Sequence, residues 1–208
     1  VRGLRILGID PGTNATGWGV VEREGARMRH VAHGVLRPAR TQSMAARLAE
    51  IHAGVVALLA LHAPACVAIE QIFVAASGRS ALVLGQARGV ALAAIGAAGL
   101  PFDELAPQHV KLAVTGSGAA DKAQVQGMVR RLLALDASPA RDAADALAAA
   151  ICRAQMEGSP LRAARAAARE ATASGDSPAG EGRRLWEQGA SQPRRRARPA
   201  QFVLRSAR

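Results

Sequence analysis

Leu4-Arg5-Ile6-Leu7-Gly8-Ile9-Asp10-Pro11-Gly12 is a short apolar run stopped by an acid and a turn signal. An apolar run of this length bounded by Pro and Gly reads as a buried strand, with Asp10 at its carboxyl end. Cys66-Val67-Ala68-Ile69 repeats the pattern and stops at Glu70. Two buried strands each ending in a carboxylate already point to an open α/β sheet, where ligands bind at the carboxyl ends of strands.

Working outward, residues 16–22 and 27–36 are β-rich stretches separated by Glu24-Gly25, which predicts a hairpin and an antiparallel three-strand opening. Ser43 is placed to cap a helix over 43–62, because Met44, Leu48, Ile51, Val55, Leu58 and Leu59 recur at helical spacing before Pro64. Residues 80–98 read as a helix crowded with Gly and Ala, and 100–105 as a further strand. After the Gly116-Ser117-Gly118 break, two helices are expected at about 121–135 and 140–155. The order β-β-β-α-β-α-β-α-α predicts an α/β domain with a mixed sheet, hairpins joining the first strands and helical crossovers the later ones.

Organisation follows from composition. Residues 1–155 read as one domain and 156–208 as a basic, disordered tail, rich in Arg with Ser, Gly and Pro breaks and an Arg194-Arg195-Arg196 run. The whole chain carries 27 Lys and Arg against 16 Asp and Glu, a formal charge of +11, which suits a polyanionic partner. Cys66 and Cys152 are far apart and lie in no metal spacing, so no disulfide framework or Cys/His zinc site is expected. The longest apolar run, 89–100, falls short of the about 20 residues that cross a bilayer. With no leader pattern in view, a soluble cytoplasmic protein with no membrane partner is the expectation.

Asp142 and Asp145 stand at i and i+3 in Arg141-Asp142-Ala143-Ala144-Asp145-Ala146, which puts both carboxylates on one helical face flanked by alanine. An acid at a strand end, or such a pair on a helix, serves equally well alone as a turn residue or a solvated face. Together, Asp10, Glu70, Asp142 and Asp145 form a set of hard oxygen donors without His or Cys, which selects Mg²⁺ or Mn²⁺ over Zn²⁺.

The blocks Gly8-Ile9-Asp10-Pro11-Gly12 with Thr16-Gly17-Trp18-Gly19-Val20, Ala68-Ile69-Glu70-Gln71-Ile72-Phe73, Leu84-Gly85-Gln86-Ala87-Arg88-Gly89 and Asp142-Ala143-Ala144-Asp145-Ala146-Leu147 resemble the RuvC resolvases in order and spacing. The resemblance spans about residues 4–154. It implies an RNase H-like fold, with a mixed five-stranded sheet flanked by helices, and a homodimer carrying one active site per subunit. It implies resolution of Holliday junctions, four-way DNA, by paired symmetric nicks through two-metal-ion phosphodiester hydrolysis. Asp10, Glu70, Asp142 and Asp145 would then be the catalytic metal ligands for two Mg²⁺ per subunit, with Mn²⁺ able to substitute.

The same resemblance implies that Lys111 and Lys122 contact DNA near the cut, that Phe73 stacks on an unpaired base, and that the RuvA–RuvB branch-migration complex is a partner. Arg79 and Arg88 read as phosphate contacts or interface residues, two roles that the sequence does not separate. Asp10-Pro11-Gly12-Thr13 also resembles the phosphate loop of actin-like kinases, but such enzymes generally need a second related domain and the chain is too short for one.

Overall fold

The computed structural model describes residues 3–71 and 78–157, apart from the side chain of Arg79. Among them, the strands are β1 (Leu4–Asp10), β2 (Thr16–Glu24), β3 (Arg27–Leu36), β4 (Cys66–Glu70) and β5 (Phe102–Leu105). The helices are α1 (Met44–His62), α2 (Gly78–Ala97), α3 (Pro107–Thr115), α4 (Lys122–Leu132) and α5 (Arg141–Gln155). The sheet order is β3-β2-β1-β4-β5: the first three strands pair antiparallel, while β4 runs parallel to both β1 and β5. This mixed five-stranded sheet with flanking helices is the RNase H-like architecture the sequence implied. The predicted tail, 156–208, falls outside the described residues except for Met156 and Glu157.

Alternation along the strands decides which side each residue serves. Ile6 in β1 and Cys66 and Ala68 in β4 join the buried cluster formed with α3, α4 and α5. Leu7, Ile9, Val67 and Ile69 face the opposite cluster, with α1 and α2. Asp10 and Glu70 continue the first set, so their side chains leave the sheet on the α5 side. Ile9 pairs with Ile69 in parallel register, and one step further brings Asp10 level with Glu70.

Helix α5 lies flush on that side. Its residues Ala143, Ala144 and Ala146 through Ala154 are all buried, as an Ala-rich helix covered on every face must be. Gly8, Gly17 and Gly19 make the approach possible. A Cβ on Gly8 would overlap the Ala146 carbonyl, one on Gly17 the Asp142 carbonyl, and one on Gly19 the Leu147 side chain.

Two boundaries differ from the sequence reading. Helix α3 was not expected; Pro107 stands at its first turn, Val110 and Val114 bury one stripe, and Gly116 closes it at φ 77°. That is the Pro-at-start, Gly-at-end asymmetry of a short helix. Strand β5 begins at Phe102 and not at residue 100, because Leu100 is used in ending α2. Its N–H donates to Ile95 O and that of Gly99 to Gly96 O, a Schellman closure with Gly99 at φ 65°.

The expectation that no segment reaches membrane-spanning length also needs correction. Among the described residues, Met44–His62 and Ser80–Ala97 are long and apolar enough by length and composition. Counting uninterrupted apolar residues missed them, because Arg47, Glu50 and Arg88 interrupt both runs. Here α1 turns Ile51, Val55, Leu58 and Leu59 into the cluster it shares with the sheet and α2, as a flanking helix of an α/β layer does.

Strand β3 carries a bulge. Val20 pairs with Ala32 and Val21 with His30, leaving Val31 unmatched. The extra residue brings His30 and His33 onto one face, where His30 Nε2 and His33 Nδ1 share a hydrogen bond of 2.8 Å. Burial, then the neighbouring His33, lowers the pKa of His30.

Two predictions follow from this packing. Folding favours neutral His30, so stability present above the ordinary histidine pKa is lost as pH falls through it. Protonation of Asp10, whose pKa is raised, works in the opposite sense over the same range, so the His30 effect is read as a difference. His30→Gln should gain thermal midpoint relative to the wild type as pH falls from about 7.5 to about 5.5; a difference that does not change with pH contradicts this account. Gly17→Ala should cost at least about 1–3 kcal/mol in urea unfolding, because backbone and not a yielding side chain stands in the way.

Candidate active site

Three elements deliver the acids to one place. Strands β1 and β4 end side by side in Asp10 and Glu70, and the first two turns of α5 supply Asp142 and Asp145. Asp10 lies within electrostatic reach of the other three, and Glu70 within reach of Asp145. Asp10 is raised from the ordinary carboxylate value to about 7, first by burial and then by Glu70 and Asp145, with Asp142 adding a smaller push. Burial and Asp145 likewise raise Glu70.

Cations answer this concentration of negative charge. Lys122, the first residue of α4, donates to Asp145 Oδ2 at 3.0 Å and also lowers the pKa values of Asp10 and Glu70. Its own pKa is raised, chiefly by the bond to Asp145. Lys111 on α3 acts on Glu70 in the same sense. Arg37, just beyond β3, pairs with Asp142 at 3.7 Å.

Local structure fixes these positions. Asp121 caps α4 in a capping box with Gln124, setting where Lys122 begins. Gln126 Nε2 donates to Pro139 O at 2.6 Å and so ties α4 to the entrance of α5. The turn after Asp10 closes on Thr16, whose Oγ1 donates to Gly12 O at 2.9 Å and accepts from Gly12 N at 3.3 Å. Arg47 of α1 reaches over to donate to Thr13 O and Asn14 Oδ1.

A cleft of about 470 Å³ is lined by Gly12 to Ala15, Ser80, Val83, Leu84 and Asp142, and Asp142 is the one of the four acids that lines it. A larger one of about 940 Å³, between the β2–β3 hairpin and the segment from Leu132 to Ser138, contains none of the four acids. The smaller cleft therefore meets the acidic cluster only at Asp142.

The donor set is suited to hard divalent cations: all oxygen, crowded, and with the Asp10 and Glu70 carboxyls both pushed up by burial and by neighbouring carboxylates. Among the described residues, no three acids, histidines or cysteines are closed into a metal-holding group. In the same place Asp145 pairs with Lys122 and Asp142 with Arg37.

The candidate residues thus divide. Asp10, Glu70, Asp142, Asp145 and Lys122 share one cluster, with Lys111 at its margin. Phe73 and the side chain of Arg79 lie outside the described residues. Arg88 is nearly buried, its guanidinium donating to Glu70 O at 2.7 Å and pairing with Glu104 at 2.7 Å. Sequence reasoning missed Arg37 and Arg47; in a chain with 25 arginines nothing local distinguishes them.

Comparison with known proteins identifies the family to which this fold belongs. A family model described as crossover junction endodeoxyribonuclease RuvC matches residues 6–153. The crossover junction endodeoxyribonuclease RuvC of Hyphomonas neptunium is 54% identical over 151 residues, covering 73% of this chain and 90% of that protein. Its counterpart in Halorhodospira halophila is 53% identical over 165 residues, covering 79% and 98%. The structure of Thermus thermophilus RuvC in complex with a Holliday junction substrate superposes with a TM-score of 0.69 at 36% identity, covering 73% of this chain and 93% of that one. With its carboxylates gathered at adjoining strand ends and this extent of likeness, the chain belongs to the RuvC family of crossover junction endodeoxyribonucleases.

Proposed function

We propose that the chain is a structure-selective endonuclease that resolves Holliday junctions by paired symmetric nicks, in homologous recombination and DNA repair. The observation that carries this reading is the convergence of Asp10, Glu70, Asp142 and Asp145 beside Lys122 in a family of junction endonucleases. The solved relative bound to a Holliday junction supports four-way DNA as the partner. A net charge of +11 supports attraction to the phosphate backbone.

The four carboxylates would hold Mg²⁺, two ions per subunit, with Mn²⁺ able to replace it. When bound, such ions activate water and offset charge at the phosphorus undergoing in-line displacement. The chain's own groups do the rest. Lys122, largely exposed and held by the single carboxylate of Asp145, would be able to turn to a phosphate oxygen as a compact point charge. Lys111 faces the same strand from α3. Phe73 is assigned to the opened crossover by stacking on an unpaired base, a contact worth about 1–3 kcal/mol, and Arg79 to a DNA phosphate.

A four-way junction offers two equivalent strands, and cutting both symmetrically calls for two active sites related by a two-fold axis. A homodimer working beside the RuvA–RuvB complex in the cytoplasm meets that need. Residues 156–208 are proposed as a basic tail that adds sequence-independent DNA attraction.

The deciding experiment compares a four-way junction, a linear duplex and an RNA–DNA hybrid under Mg²⁺. Nicking confined to the junction, at symmetric positions, is expected; preferential cutting of the hybrid would make this an RNase H-like enzyme of another substrate class. Asp10→Asn should abolish nicking while leaving junction binding intact. It should also make the metal-free protein more stable at about pH 8 by roughly 1–3 kcal/mol, since ionising Asp10 opposes folding. That gain should shrink as pH falls through about 7 towards the ordinary carboxylate value, where the wild-type side chain is already protonated. Calorimetric unfolding across this range checks the sign.

A further inference from the structure

We infer that Arg88 is a positioning residue for Glu70, and neither a phosphate contact nor an interface residue. The inference rests on the nuclease reading above and deepens it.

The peptide group that joins Glu70 to Gln71 is held at both ends. Its carbonyl, Glu70 O, accepts from Arg88 Nη1 at 2.7 Å, and its N–H, on Gln71, donates to Leu105 O at 2.8 Å. Fixing that plane fixes the direction in which the Glu70 side chain leaves the backbone. The second bond is the last rung of the β4–β5 ladder, whereas the first comes from α2 across the sheet.

Arg88 is itself immobilised. Its side chain is 13% exposed, and a different nitrogen, Nη2, pairs with Glu104 Oε1 at 2.7 Å. Glu104 aligns with Ile69 in the β4–β5 register, and Ile69 faces α1 and α2. Arg88 therefore grips the end of β4 from behind, while the Glu70 carboxylate projects from the other side towards Asp10 and Asp145. A guanidinium suits the task because its rigid fork can engage a carbonyl and a carboxylate at once, and it stays charged when nearly buried. With those donors committed, little of it is left to meet a phosphate.

Mn²⁺ titration by calorimetry, in the full chain and without DNA, is the direct test. Groups that orient metal ligands typically contribute about ten- to a hundredfold in metal affinity. Arg88→Ala should weaken Mn²⁺ binding by about that factor. Nicking should fall at fixed Mn²⁺ and recover in part as Mn²⁺ is raised. Junction affinity measured in EDTA should change less than about twofold, because a phosphate contact loses its salt-dependent binding and an orienting group does not. Arg88→Lys, which retains a donor for Glu70 O, should restore part of the Mn²⁺ affinity. If the alanine variant does not fold, Arg88→Gln is read by the same criteria.

Unchanged Mn²⁺ affinity in Arg88→Ala overturns the inference, as does a loss confined to junction binding. A wild-type protein that neither binds Mn²⁺ nor nicks junctions overturns the nuclease reading itself, so the two failures are distinct.

Discussion

Everything about this site depends on how closely α5 approaches the sheet. Glycines at positions 8, 17 and 19 remove the Cβ atoms that would meet its backbone and Leu147, and alanines on the helix leave nothing else to hold it away. Close packing of this kind is stiff, since interiors pack as densely as organic crystals and a single added methyl is felt. The glycines therefore do more than relax the chain. They set the height at which Asp142 and Asp145 stand over the ends of β1 and β4, and tie the stability of the core to the geometry of the acids.

The second constraint is electrostatic. Gathering carboxylates in a partly buried place disfavours their ionised forms, and the fold answers with cations of two kinds. Buried or nearly buried arginines hold fixed pairings, Arg88 with Glu104 and the Glu70 carbonyl and Arg153 with Asp103 and Glu157, while the exposed Arg37 meets Asp142 more loosely at 3.7 Å. Arg153, only 3% exposed, bridges α5 to β5 and so anchors the far end of the helix whose first turns carry the acids. A rigid guanidinium fork holds such links at less entropic cost per bond than an ammonium.

Much of this was legible in the sequence because it rests on short-range rules. Alternation marked β1 and β4 as strands, and the acid that ended each apolar run fell at the ladder's end. The i, i+3 spacing of Asp142 and Asp145 survived unchanged, since a helix face is a local property. What escaped was either too short or too remote. Helix α3 has nine residues and only Val110 and Val114 to announce its buried stripe, so the Pro107 and Gly116 signals were its sole markers. Strand β5 lost its first two residues to the closure of α2, a competition that periodicity does not register. The pairing of Arg37 with Asp142 joins residues 105 positions apart, and Arg88 meets Glu70 across the sheet; neither partner is named by its neighbours in sequence.

Among the described residues, Lys122 is a basic residue placed to exchange partners. The chain has 25 arginines, yet both Lys111 and Lys122 act on the acidic cluster. Lys122 is largely exposed, with a flexible stem and a single carboxylate partner at 3.0 Å. An ammonium of that kind can leave Asp145 without disturbing any packed group. At rest it offsets the repulsion that raises Asp10 and Glu70. Under the proposed function the same ammonium would be free to turn to a phosphate oxygen, so that one residue would serve both the stability of the acidic cluster and contact with DNA. An arginine there, locked by two or more bonds, would serve the first role at the expense of the second.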